Sequence, residues 1–276
     1  MLSHHHQAIA QAMDLESLQA WKVFSLAFWE ESDCGLDNER QSELFHAGFL
    51  RSRWALYDLQ EHGVDSYLSD YQAFCLQAAN AKYQSVLADR VLCGHVMANY
   101  FQVPEAGADT MAAHPALAEM ADGHLLQVLL VRDPRDWQPE LAAITLVLSR
   151  HHSRQGRSIQ RVEEGALSAG IDPATGMITG CRLLDDAGQP GRITRHPDSG
   201  ANLLGQRLPA WEQAHEALLR FFDESSYLRY CHLTFIITEQ GLAFVASEPD
   251  QLAAHQMHQP LLDNASIDHY LKRLTD

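Results

Sequence analysis

At 276 residues the chain has room for one large domain or two small ones, and for a sizeable buried core either way. Its formal charge of −16 argues against a broad nucleic-acid footprint or adhesion to an acidic membrane surface. No run of eighteen apolar residues occurs and the start lacks the basic-then-apolar layout of a signal peptide, so no membrane span is expected and a cytoplasmic location is.

The first eighty residues read as helical. Leu18, Trp21, Phe24 (or Ser25) and Phe28 recur at three- and four-residue spacing after Asp14 or Ser17, which gives one amphipathic face. A second helix is expected from an Asp37 N-cap through Phe45, Phe49, Leu56 and Leu59 to a stop at Gly63. The aromatic stripe of Trp21, Phe24, Phe28 and Trp54 has the character of core, because aromatic side chains dominate buried area. Further helical regions cover Ser69 to Ala79 and Ser85 to Phe101, the latter ending before Val103-Pro104. Residues 105 to 115 are rich in Ala, Gly and Pro, and there the chain changes character.

After a short helical piece, Pro115 to Ala121, the pattern turns to strands. Leu125 to Val131 and Leu141 to Leu148 are apolar runs of strand length on either side of the Asp133-Pro-Arg-Asp136 turn. Ile159 to Val162 and Ala166 to Ile171 are further candidates, followed by the strong turn Asp172-Pro-Ala-Thr-Gly176. Ile178 to Leu184 and Gly191 to Thr194 bracket Asp185-Asp-Ala-Gly188 as a hairpin. A helix from Pro209 to about Phe222 and a last one from Ser266 to Leu274 complete the list, with no internal repeat and no low-complexity linker. The simplest fold class is α+β, with a helical region over 1–104 and a β-rich remainder over 105–276.

The most sharply specified stretch is the hairpin of His232 to Thr238 and Leu242 to Ser247, joined by Glu239-Gln240-Gly241. A three-residue connection ending in Gly is a type I turn plus bulge. Pairing Thr238 with Leu242 then places Ile236 with Phe244, Thr234 with Ala246 and His232 with Glu248 on one face, apolar near the turn and polar at the open end. His232 and Glu248 are therefore a candidate catalytic pair, since a carboxylate beside a histidine raises its basicity. The loop Arg195-His-Pro-Asp-Ser-Gly200 is the second candidate: Arg192 and Arg195 flank it, so that with His196 and Asp198 it has the groups to bind an anion without lysine.

Residue types narrow the chemistry. Lys22, Lys82 and Lys272 are the only lysines, so a central phosphate-binding or Schiff-base lysine has few candidates. The five cysteines form no C-x-x-C pair. Of sixteen histidines, His4-His5-His6 lies at the terminus, His151-His152 would point to opposite faces of a strand, and His255-x-x-His258 lacks the zincin glutamate, so no metal site is expected. No P-loop, G-x-G-x-x-G or G-x-S-x-G motif appears, and the carboxylate pairs Glu163-Glu164 and Asp185-Asp186 read as solvated turns.

Taken in order, Asp89-Arg-Val-Leu92, His114-Pro-Ala-Leu117, Ala169-Gly-Ile-Asp172-Pro-Ala-Thr-Gly176, His196-Pro-Asp-Ser-Gly200, Leu204-Gly205, Leu208-Pro-Ala-Trp211 and Ile237-Thr-Glu-Gln-Gly241 resemble ATP-grasp proteins of the sugar-transfer-associated, α-L-glutamate-ligase-related type. The resemblance covers about 65 to 262 in patches. It implies a fold in which two α+β modules grip ATP, and magnesium helps turn a carboxylate into an acyl phosphate for attack by an amine. That chemistry needs a lysine and a glycine-rich loop on the triphosphate, an arginine on the transferring phosphoryl group and acidic ligands for magnesium.

The sequence departs at these points. The lysine-bearing small subdomain would fall between about 105 and 112, where no lysine occurs. The family's threonine and arginine fall on Gln127 and Leu129, its metal-binding aspartate on His232, and its glutamate and asparagine on Ala246 and Glu248. The resemblance thus implies a truncated, degenerate ATP-grasp-like protein without ordinary ligase activity. Such a protein would act by binding a small-molecule ligand or a protein partner, as a homodimer or beside an active biosynthetic enzyme. No cofactor is expected of the degenerate form, although ATP and magnesium belong to the family. The alternative is an ATP-dependent carboxylate-amine ligase with rearranged site residues.

Overall fold

The computed structural model describes residues 15–57, 59–104, 113–121, 123–152, 157–159, 161–184, 190–248 and 252–275. The segment 105–112, where the lysine-bearing subdomain was sought, lies outside the described residues, as do His4, His5, His6 and Asp185-Asp186.

The helical region comprises α1 (Leu15–Glu30), α2 (Asn38–Ala47), α3 (Arg53–Leu56), α4 (Leu59–His62), α5 (Asp70–Gln77), α6 (Gln84–Ala88) and α7 (Arg90–Met97). Asp37 caps α2 as its sequence predicts, accepting the Arg40 N–H at 2.8 Å. The helix does not run on to Gly63, however. It stops at Gly48, which takes φ +82° and lies so close to Ser69 and Tyr71 that a Cβ would meet their atoms at 2.9 Å. The expected helix over Ser85 to Phe101 is likewise two helices. Asp89 breaks it and caps the second, accepting from the N–H groups of Val91 and Leu92.

The β region follows α8 (Pro115–Ala118) with β1 (His124–Arg132), β2 (Pro139–Leu148), the short pair β3 (Arg150–His152) and β4 (Arg157–Ile159), then β5 (Leu167–Ile171), β6 (Ile178–Leu184) and β7 (Pro190–Ile193). After α9 (Trp211–Glu224) come β8 (Tyr230–Thr238), β9 (Gly241–Ser247), α10 (Ala253–Gln256) and α11 (Ala265–Thr275). Seven strands form one sheet in the order β7-β6-β5-β2-β1-β8-β9, antiparallel at every pairing. The expected strand over Ile159 to Val162 is interrupted, because residues 162–164 form a 3-10 turn instead.

Helices cover both faces of this sheet, which is why β1 and β2 read as nearly continuous apolar runs. Leu126, Val128, Leu130, Leu146, Leu233 and Phe235 pack towards α9, against Leu218, Phe221 and Phe222. The opposite face meets the helical region: Phe24, Phe28, Leu44 and Phe49 share a core with Val147, Val162, Ala253 and Ala254. The α1 stripe is thus core as expected, with Phe24 and Phe28 fully buried. At about 25 cal/mol per Å² of apolar surface, aromatic residues of this size make that face a main source of stability. Among the described residues no helix is long and apolar enough to cross a membrane.

Candidate functional site

Hairpin β8–β9 is joined by two residues, not three: Thr238 pairs with Gly241 and Ile237 with Leu242. Gly241 has the expected positive φ, at +116°. The register near the turn is therefore one residue away from the sequence reading. It is restored by a bulge, since Phe235 pairs with Phe244 but Thr234 pairs with Ala246, which leaves Val245 as the extra residue. Ala246 and Glu248 accordingly return to the face that carries Thr234 and His232, and the Glu248 N–H reaches the His232 carbonyl at 3.3 Å.

This face is the one covered by α10 and the helical region. His232 is fully buried there, beside Leu129 on β1. Its Nδ1 lies 2.6 Å from the Glu248 backbone carbonyl and its Nε2 lies 3.1 Å from Nε2 of His255. A carbonyl only accepts, so Nδ1 of His232 carries the proton and its Nε2 is an acceptor. His255 must then donate from Nε2 and accept at Nδ1, where the Thr145 hydroxyl donates across 2.7 Å. One backbone carbonyl thereby fixes the proton positions along the whole chain of groups. Burial lowers the His232 pKa to about 4, partly offset by the bond to the Glu248 carbonyl, and burial together with His232 and His258 holds His255 well below its ordinary value.

His232 and Glu248 therefore meet through the backbone of Glu248 and not through its carboxylate. The basicity expected to be raised is lowered, because burial of the ring outweighs its hydrogen bond. The Glu248 carboxylate instead receives the Thr234 hydroxyl at 3.4 Å. It borders a cavity of about 250 Å³ together with Gln127, Thr234, Ala246, Arg161 and Glu163. Gln127 is only 6% exposed, and among the described residues its buried Oε1 has no hydrogen-bond partner. Such an amide is costly to leave unsatisfied. A smaller cavity of about 190 Å³ adjoins at Arg161 and Glu163, and there Arg53 bridges Asp70 and Glu163 at 3.0 Å each.

The second group of sequence candidates lies elsewhere. Arg192 sits on β7, the edge of the sheet opposite β9, and is exposed, as are Arg195 and Asp198. His196 is buried, faces the Ser149 carbonyl with Nε2 at 3.0 Å, and accepts from the Asp198 and Ser199 N–H groups at Nδ1. The Ser199 hydroxyl donates to the Met120 carbonyl at 2.6 Å, so this loop is pinned to the body of the protein. These four residues do not join the cavity at Glu248. Sequence reasoning missed Thr145, Arg161 and the pairing of His255 with His232. Only the His-x-x-His spacing signalled His255, and nothing in that spacing points to a partner 23 residues away.

A magnesium site wants several oxygen ligands, mostly carboxylates. At the positions where the resemblance would put them stand a histidine with both nitrogens engaged, a methyl group and one carboxylate, with Leu129 beneath. Those residues do not fit the ion. Among the described residues the cation bordering the cavity is Arg161, and a single guanidinium is a poor match for a triphosphate.

The sugar-transfer associated ATP-grasp family matches this chain over residues 129–259. No curated protein and no solved structure matches it.

Proposed function

We propose, from the match of residues 129–259 to the sugar-transfer associated ATP-grasp family, that the chain is a degenerate ATP-grasp-like protein that binds a ligand or a partner and does not carry out ordinary ATP-dependent ligation. The observation behind this reading is the open end of the hairpin, whose polar groups are already engaged. His232 spends both ring nitrogens on the Glu248 carbonyl and His255, and Leu129 and Ala246 bring no charge to the same face. Among the described residues a developing phosphoryl charge would meet at most the single guanidinium of Arg161 there. What remains is the small cavity beside it, bordered by Gln127, Thr234 and Glu248. A cytoplasmic location, a homodimer or an active partner enzyme, and a place in a biosynthetic pathway belong to this reading, as does the division of labour between a helical region 1–104 and an ATP-grasp-like core 105–276.

The second reading is a carboxylate-amine ligase with rearranged residues. Glu248, Thr234 and Arg161 around one cavity favour it, since a carboxylate, a hydroxyl and a guanidinium are the right classes of group for a small polar substrate. Calorimetric titration with ATP, with and without magnesium, and a phosphate-release assay separate the two. The degenerate reading expects no magnesium-dependent release of phosphate. Turnover that disappears in Glu248→Gln would establish the second reading in its place.

A further inference from the structure

Among the described residues three arginines are all but buried, and two of them are well provided for. Arg132 donates to the backbone carbonyls of Leu228, Trp137 and Phe222. Arg53 is held by Asp70 and Glu163. Arg51 differs. At 6% exposure it donates from Nη1 to the Glu31 carbonyl at 2.5 Å and lies over the rings of Phe28 and Trp29, at 4.4 and 5.1 Å. Among the described residues no carboxylate comes within 4 Å of it, and its Nε is buried without a partner. A guanidinium taken out of water normally finds an anion or a full set of acceptors, because an isolated buried charge is expensive.

Arg51 and the adjacent Ser52, whose hydroxyl is also buried without a partner, border a cavity of about 440 Å³. Leu36, Trp54, Leu56 and Leu184 supply apolar walls. Glu163 also borders it, but its carboxylate is already taken by Arg53 at 3.0 Å. Glu31 lies nearby, where its carboxylate accepts the Ser52 N–H at 3.2 Å. One guanidinium with no carboxylate partner, one serine and apolar walls therefore border a single space; the Arg51 Nε and Ser52 hydroxyl are themselves closed to solvent, so a ligand reaches them only once the two side chains turn towards it.

We propose that this cavity is a binding site for a small organic carboxylate, its head paired with Arg51 and Ser52 and its apolar body seated among Leu36, Trp54, Leu56 and Leu184. A single negative charge matches the one uncommitted cation, and the two nearby glutamates oppose a more highly charged head such as phosphate. The carboxylate geometry also suits the planar guanidinium fork. The site lies mostly on the turn before α2, on the turn at Arg51-Ser52 and on α3, and of its lining only Glu163 and Leu184 fall in the family-matched segment. It stands whether or not the hairpin cavity binds anything.

The test is calorimetric titration of the full chain with hydrocinnamate, its uncharged analogue hydrocinnamide, and inorganic phosphate. Saturable binding of hydrocinnamate at least about tenfold tighter than the amide is expected, the worth of a charge-assisted hydrogen bond in a dry site. Arg51→Met should weaken it by a similar factor. Ala55→Phe, which fills the cavity and leaves Arg51 in place, should do the same. On the unmutated chain, saturation with hydrocinnamate should also slow alkylation of Cys34, an exposed thiol bordering the same cavity. No saturable hydrocinnamate binding, equal affinity for the amide, phosphate binding as tightly as the carboxylate, or affinity unchanged in a folded Ala55→Phe chain would each overturn the proposal.

Discussion

The Nε2 atoms of His232 and His255 lie 3.1 Å apart in a fully buried contact, and the Glu248 carbonyl on the far side of His232 decides which of them holds the proton. Protonating either ring breaks this order, since the added proton would face either a donor or the Thr145 hydroxyl. Both rings titrate below their ordinary value because burial disfavours the charged form. The unfolded chain therefore binds protons that the folded chain refuses. Their contribution is fully present above about pH 6.5 and is lost as the pH falls through about 4, on the order of 3 kcal/mol for His232 alone. Urea unfolding at pH 7.5, 5.5 and 4.5 should show stability declining across the series. A flat profile would mean that these rings are not buried neutral.

Gln256 ties α10 to the helical region. Its Oε1 accepts the Leu68 N–H at 2.8 Å while its Nε2 donates to the Leu68 carbonyl at 2.8 Å and to the Tyr57 hydroxyl at 3.2 Å. Gln256→Ala strands two buried backbone groups, which should lower stability by about 2–4 kcal/mol. Chemical denaturation measures this directly, and a loss below about 1 kcal/mol would show that water or a shifted backbone replaces the amide.

Gly176 closes the turn after Asp172 with φ +71°, and a Cβ there would stand 2.2 Å from the Trp211 ring. Trp211 cannot step aside cheaply, being a buried residue whose indole N–H donates to the Pro173 carbonyl at 3.1 Å. Gly176→Ala combines left-handed backbone strain with overpacking, so roughly 3 kcal/mol of stability should be lost. Thermal unfolding followed by tryptophan fluorescence would report it, and a melting temperature within a degree or two of the parent would contradict the contact.

The strands were legible because their signals are local. β1 and β2 are apolar runs around Asp133-Pro134, and β5 to β7 are separated by turns rich in Asp, Pro and Gly. The helix breaks at Gly48 and Asp89 were not, because each is decided by what packs against it or caps it and not by periodicity. The hairpin is the most instructive case. The reading set the turn one residue too long, and the bulge at Val245 cancelled that error beyond Thr234, so His232 and Glu248 were placed together correctly. Their chemistry was still misread, since no pattern in the sequence says whether a glutamate offers its carboxylate or its backbone. α10 was missed because four residues are too few to show a period.

Gln127 offers the sharpest test of the cavity at Glu248. Its side chain is 6% exposed, lies across from Thr145 on one side and Thr234 on the other, and among the described residues leaves Oε1 without a partner. A folded chain selected only for stability would gain from an apolar residue of similar size there, so Gln127→Leu should raise stability by about 1–2 kcal/mol. If the amide is kept for a ligand, the same variant should lose whatever saturable binding the hairpin cavity shows, and should leave hydrocinnamate binding at Arg51 unchanged. Denaturation and calorimetry on one protein sample read both effects. Lower stability in Gln127→Leu would mean that the amide is already satisfied, and Gln127 would then not be kept for a ligand.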